Sequence, residues 1–157
     1  MFNETDYLSQ TAVQMTVLVT PDLVNFSGNM HGGEILKILD KVAYTCAMRY
    51  SGNYVVTLSV DKVLFKQPIY IGELLTFLAS VNYTGKTSME IGIKVIAEDL
   101  KTRSVRHTNS CYFTMVSLDE NRKPAPINPL QPQTKEAKAR FERARVRREN
   151  SLKQPTK

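Results

Sequence analysis

The chemistry in this chain is concentrated between Asn25 and Asp40, where a loop of small polar side chains (Asn25, Ser27, Asn29, His31) runs into Gly32-Gly33 and an acid follows at position 40. A carboxylate set beside apolar side chains can serve as a general base or as a nucleophile. The first N–H groups of a helix are unpaired and carry the positive end of the dipole, so they stabilise charge on a carbonyl oxygen. Together these are the parts of an acyl-transfer site. Glycine costs about 1 kcal/mol against alanine inside a helix. Two glycines in a first turn therefore imply close approach of a visiting group, or tight packing of the helix start against a sheet. Each residue also has an ordinary reading: an ion pair with Lys37 or Lys41 for Asp40, local hydrogen bonding for His31, and turn formation for Asn25.

Stronger signatures are missing. The sequence holds no HExxH, CxxC, phosphate loop, GxGxxG or G-x-S-x-G elbow, and His31 and His107 are its two histidines. A mechanism without a metal and without a cofactor is the expectation.

These residues need a helix to hold them, and His31 to Tyr50 predicts one of about five turns. At about 100° per residue, Ile35, Leu36, Ile38, Leu39, Val42, Ala43, Cys46, Ala47 and Tyr50 share one arc. Lys37, Lys41 and Tyr44 face the other way, and Asp40 sits at the margin next to Leu36 and Ala47. Such a helix is mostly buried. Residues 12 to 20 read as an edge strand ending in a turn at Pro21-Asp22, and Ser51-Gly52-Asn53 as the helix stop. From there the chain is strand-like: Tyr54 to Lys66, Leu74 to Thr84, Met89 to Glu98 and Thr102 to Leu118, with Gly85-Lys86 as a hairpin tip. Met89, Ile91, Ile93, Val95 and Ala97 alternate with more polar positions, the period of a half-buried antiparallel strand. The economical arrangement is an α+β domain, an antiparallel sheet wrapped around one helix.

Past Asn121, Pro124 to Pro132 predicts an extended connector. Thr134 to Asn150 then predicts an appended helix whose narrow stripe of Ala137, Phe141 and Ala144 needs another surface to lie on. Ser151 to Lys157 is expected to be disordered. The organisation is thus one domain over residues 1–130, with a basic helix and tail over 131–157.

The chain has 157 residues and a net charge of +6. That charge is carried by residues 131–157, with nine Lys or Arg against three Glu, while residues 1–130 hold twelve of each sign. A nucleic-acid binder acting through the tail would interleave aromatic residues with the basic ones, and Phe141 stands alone there. No nucleic-acid partner is expected. Two distant cysteines, Cys46 and Cys111, read as reduced, buried thiols. With no apolar leader and no run long enough to span a membrane, a cytoplasmic protein without stable membrane insertion is expected.

The ordered series Asn25-x-x-Gly28-Asn29-x-His31-Gly32-Gly33, Asp40, Ser59-Val60-Asp61 with Phe65, Pro68-x-x-x-Gly72-Glu73 and Gly85-Lys86-Thr87-Ser88-Met89 resembles the hotdog-fold acyl-CoA thioesterases of the broad cytosolic acyl-CoA hydrolase type. The resemblance runs from about Ala12 to Leu118. It implies a curved antiparallel sheet around a central helix, and hydrolysis of a fatty acyl-CoA to free fatty acid and coenzyme A. By the same resemblance Asp40 is the general base or nucleophile. Asn25 comes from the partner subunit to position water or the thioester. The N–H of Gly33 polarises the carbonyl, with His31 and Gly32 lining the substrate. A homodimer would be the smallest active unit, assembling as a trimer of dimers. A noncatalytic acyl-CoA sensor on the same fold is the alternative, against which the presence of both Asn25 and Asp40 counts. Because coenzyme A carries phosphates, Gly85, Lys86, Thr87 and Ser88 at the hairpin tip are candidates to meet them, with Arg103 and Arg106 further along.

Overall fold

A computed structural model describes residues 9–154 as a five-stranded antiparallel sheet in the order β1-β3-β4-β5-β2, with one helix on each face. The strands are β1 (Ala12–Leu18), β2 (Tyr54–Val60), β3 (Leu74–Thr84), β4 (Ser88–Glu98) and β5 (Val105–Leu118); the helices are α1 (Gly32–Ser51) and α2 (Lys135–Lys153). The first eight residues and residues 155–157 lie outside the described residues, and with them the end of the tail expected to be disordered.

Helix α1 forms where its periodicity says it should, and it stops at Gly52. There the backbone takes φ 70°, a left-handed turn that glycine adopts freely, and its N–H closes onto the Met48 carbonyl. The buried stripe is Ile35, Leu39, Val42, Ala43, Cys46 and Ala47. It packs on the face of the sheet built by Leu75, Phe77, Ala79 and Val81 of β3, by Met89 to Ala97 of β4, and by Cys111, Phe113 and Met115 of β5. Each strand buries alternate residues here, so the two-residue period of the sheet and the 3.6-residue period of the helix meet in one core. The arc is narrower than the sequence implies. Leu36 is 39 % exposed, and Tyr44 turns inward to meet the Tyr54 ring edge-on at 6.4 Å.

Two further segments depart from expectation. The strand expected over Tyr54 to Lys66 ends at Val60. Its register shifts between Thr57 and Ser59, a last hydrogen bond joins the Asp61 N–H to Tyr112, and the chain then leaves β5 to reach the start of α1. There the Met30 N–H donates to Ile69, and Phe65 lies over Gly32, 3.5 Å from where a Cβ would stand. At the other end, Ser151 to Lys153 continue α2 as helix.

Helix α2 finds the surface it needs on the outer face of the sheet. Thr134 caps its N-terminus through the Ala137 N–H at 3.1 Å. Ala144 is buried, and Phe141 packs on Tyr83 with centroids 5.0 Å apart. Arg147 donates to both Glu90 carboxylate oxygens, at 3.1 and 2.6 Å, and lies 3.7 Å over the Tyr112 ring. Arg147, from the basic segment, thus helps hold the helix down.

Candidate active site

Asp40 lies midway along α1, and the hydroxyl of Thr57 donates to its Oδ1 at 2.6 Å. The local fold dictates this pairing. From Asp40 the helix climbs about 16 Å to Ser51 at 1.5 Å per residue, and β2 returns from Gly52 to Thr57 over about 17 Å at 3.3 Å per residue. The carboxylate itself is exposed in the single chain. Neither Lys37 nor Lys41 pairs with it, so the ordinary ion-pair reading is replaced by a hydroxyl bond. Sequence reasoning missed Thr57. A threonine in a Val-rich strand is what strand propensity selects anyway, and no signal in one sequence marks it.

The helix start is open. His31 is the N-cap residue with extended backbone and a side chain that makes no capping bond, while its carbonyl accepts from Glu34 and Ile35. Among the described residues the N–H groups of Gly32 and Gly33 have no acceptor. Nothing lies within 4 Å of a Cβ placed on Gly33. That gap leaves room for a carbonyl oxygen at the positive end of the helix.

Asn25 builds the preceding loop. Its Oδ1 accepts from the N–H groups of Ser27 at 2.9 Å and Asn29 at 3.2 Å, the pattern of a turn-forming asparagine. No hydrogen bond joins it to Asp40 within the chain. Phe26 at the loop tip is fully exposed. The loop is held from below by the segment before β3, since Ile71 donates to Gly28, and Asn29 and Tyr70 form a β-bridge. That segment is pinned by Glu73, which is 6 % exposed. Arg106 donates to both Glu73 oxygens and, at 2.7 Å, to the Pro68 carbonyl, while the Tyr70 N–H donates to Glu73 at 2.8 Å. Burial pushes the Glu73 carboxyl up, but the Arg106 and Tyr70 hydrogen bonds and the Arg106 charge outweigh it and hold it below the usual carboxylate value. Arg106 is consumed in this clamp.

The phosphate candidates fall elsewhere. Gly85, Lys86, Thr87 and Ser88 join β3 to β4 beside the C-terminal end of α1, whereas Gly32 and Gly33 stand at the opposite end. Arg148 donates to Ser88 Oγ at 2.7 Å and covers Gly85, where a Cβ would meet its guanidinium at 3.0 Å. Lys86 is exposed. Arg103, with φ 62°, sits in the β4–β5 turn at the far end of the sheet from Lys86. A single chain does not bring the helix start and the hairpin tip together.

Cys46 and Cys111 are buried and free, and desolvation pushes both thiols up to about 12, which leaves them unreactive at neutral pH. Among the described residues no three His, Cys, Asp or Glu gather to hold a metal ion, and no helix is long and apolar enough to cross a membrane.

Residues 27–104 match the thioesterase superfamily. Along 92 % of its length the chain is 55 % identical to protein VdlD of Helicobacter pylori, covering 82 % of that protein. It is 34 % identical to the rat cytosolic acyl coenzyme A thioester hydrolase over 92 % of this chain and 38 % of that one. A solved apo-hexameric acyl-CoA thioesterase superposes with a TM-score of 0.88 at 37 % identity, covering 92 % of both chains. The chain belongs to the hotdog-fold acyl-CoA thioesterases. It is an acyl-CoA thioester hydrolase. The acyl-CoA hydrolase of Staphylococcus aureus, solved with butyryl coenzyme A, coenzyme A and coenzyme A disulfide, superposes at a TM-score of 0.79 with 30 % identity, over 92 % of this chain and 93 % of that one. That enzyme has also been solved with an aspartate, a threonine and an asparagine separately replaced by alanine, the asparagine variant with coenzyme A.

Proposed function

We propose that the enzyme hydrolyses fatty acyl-CoA at a site shared between two chains, with Asp40 as general base or nucleophile and Asn25 supplied by the partner. The observation that carries this reading is the 2.6 Å bond from Thr57 to Asp40, which fixes one carboxylate oxygen and leaves the other free to act. The alanine positions of the S. aureus enzyme support it, because their mutual spacing in sequence is that of Asn25, Asp40 and Thr57 here. The thioester carbonyl would point its oxygen at the open N–H of Gly33, with His31 and Gly32 beside it. Asp40 would then take a proton from water attacking the carbonyl carbon and pass it to the departing coenzyme A sulfur. Or it would attack the carbon itself, expelling the thiolate and forming a mixed anhydride that water hydrolyses to the fatty acid, the proton released going to the thiolate. Coenzyme A enters only as part of the substrate, and the reaction is proposed to need no other cofactor.

The shared site has support in the fold. Among the described residues β2 is an edge strand with nothing paired to its outer side, and Leu58 and Val60 on it are 68 % and 42 % exposed. Apolar edges of this kind call for a partner strand. We infer a homodimer joined there as the minimal active unit, three dimers forming a hexamer, in the cytoplasm.

Subunit mixing tests the shared site. Asn25→Ala and Asp40→Ala homomers should each be nearly inactive. Randomly mixed dimers pair at about one half, and each mixed dimer holds one intact site, so activity should recover to about a quarter of wild type. No recovery in demonstrably mixed dimers would place Asn25 and Asp40 in the same subunit's site and overturn the reading.

A further inference from the structure

We propose a second anion site, for a phosphate-bearing organic molecule, between α2 and the outer face of the sheet. It lies on the other side of the sheet from Asp40 and does not depend on the reading of the acyl site.

A cavity of about 420 Å³ opens there, within the roughly 300–1,000 Å³ range of small-molecule pockets. Four cations line it: Lys94 from β4, and Arg140, Arg143 and Arg147 from α2. Among the described residues no carboxylate does. Arg147 is neutralised by Glu90. Lys94, Arg140 and Arg143 have no hydrogen-bond or ion-pair partner among the described residues. Of the three acids on α2, Glu142 and Glu149 are engaged by Arg145, and Glu136 neither lines the cavity nor pairs with these cations. Three like charges converging on one hollow repel each other, and a bound anion removes that cost.

The floor is shaped for a ligand. Asn82, 3 % exposed, lays its amide across Gly92, whose missing Cβ would stand 2.2 Å from Asn82 Nδ2. Asn82 accepts from the Ser80 hydroxyl at 2.7 Å. Ser80 and Ser110 line the cavity with hydroxyls already bonded to Asn82 and to His107 Nε2, and Leu78 and Tyr112 supply an apolar wall. Arginine forks suit phosphate oxygens, and the apolar wall with a volume of this size suits the organic part of a phosphate ester.

The test is calorimetric titration of the full chain at low salt with pyrophosphate, ADP and coenzyme A separately. It is repeated on Arg143→Gln, on Lys94→Gln and on Arg145→Gln, a surface control. The expected result is saturable binding of one or more probes. It should weaken about tenfold or more in both site variants, by the loss of a charge-assisted hydrogen bond, and not in the control. Hydrolysis without added anion should be unchanged in all three. Pyrophosphate binding alone would identify the phosphates as the recognised group, tighter ADP a nucleotide, and coenzyme A alone its 3′-phosphorylated nucleotide. Coenzyme A is also a product of the acyl site, so its arm is read as the loss of a second site. The proposal fails if no probe binds outside the acyl site, or if that binding survives both Arg143→Gln and Lys94→Gln. It also fails if these variants change the mass of the assembly instead, which would assign the cations to a neighbouring subunit.

Discussion

Replacing Arg106 by methionine should both destabilise the fold and slow the enzyme, because this one guanidinium fixes the segment on which the Asn25 loop stands. The change removes two bonds to Glu73 and one to the Pro68 carbonyl, and leaves a carboxylate that is 6 % exposed with the Tyr70 N–H as its remaining partner. Breaking a fully buried pair from one side costs about 3–5 kcal/mol. The Arg106 side chain is 28 % exposed, so water can enter the vacated place, and we expect a smaller cost, about 2–3 kcal/mol. For a domain of this size that lowers Tm by about 5–10 °C at fixed protein concentration. The double change Arg106→Met with Glu73→Gln removes the stranded charge and should recover about half the loss. Urea unfolding of wild type, single and double variants measures this, with thiol release from acyl-CoA in parallel. If the single variant stays within about 0.5 kcal/mol of wild type, or the double variant is no more stable than the single, the clamp does not carry the energy assigned to it.

The remaining expectations are smaller. Thr57→Val keeps the shape of β2 but removes the hydroxyl bonded to Asp40, and kcat should fall about tenfold or more in a variant that still folds, since a hydrogen bond to a charged group is worth about 1.5–3 kcal/mol. Glu73, held below its ordinary value of 4.5, contributes stability that is complete above that value and lost as pH falls through its lower folded value. Wild type should therefore lose more stability than the double variant between about pH 5 and about pH 3, as read by urea unfolding. Arg147→Ala frees Glu90 and uncovers Tyr112, and about 1–2 kcal/mol of loosening should raise the undocked population of α2 by a factor of about 5–30. Trypsin should then clip α2 correspondingly faster while the sheet stays intact.

Much of the fold is legible in the sequence because single elements carry their own signals. Helix α1 announces itself by an apolar period over twenty residues and a stop at Gly52, and β4 by strict alternation. The end of β2 is not legible, because Val63, Leu64 and Phe65 have strand composition, and only the pull of Ile69 toward Met30 takes the chain off the sheet. Helix α2 is legible as a helix, whereas its docking is not. Whether Arg147 faces water or Glu90 depends on β4, which is distant in sequence. The site divides similarly. Gly33 and Asp40 stand out by being unusual where they occur. Thr57 is ordinary for a strand, and Asn25 forms a turn as any loop asparagine would. The place of Thr57 depends on its contact with Asp40 across the fold, and the role proposed for Asn25 on a second chain, neither of which a local pattern encodes.

The most direct measurement is thiol release from a panel of short- to long-chain acyl-CoAs by wild type, Asp40→Ala and Asn25→Ala, with folding and assembly checked on each protein. Wild type should hydrolyse fatty acyl-CoA, and both folded variants should lose most of that activity. Full activity in folded Asp40→Ala would remove Asp40 from the chemistry, and binding of acyl-CoA by wild type without thiol release would leave a sensor in place of an enzyme.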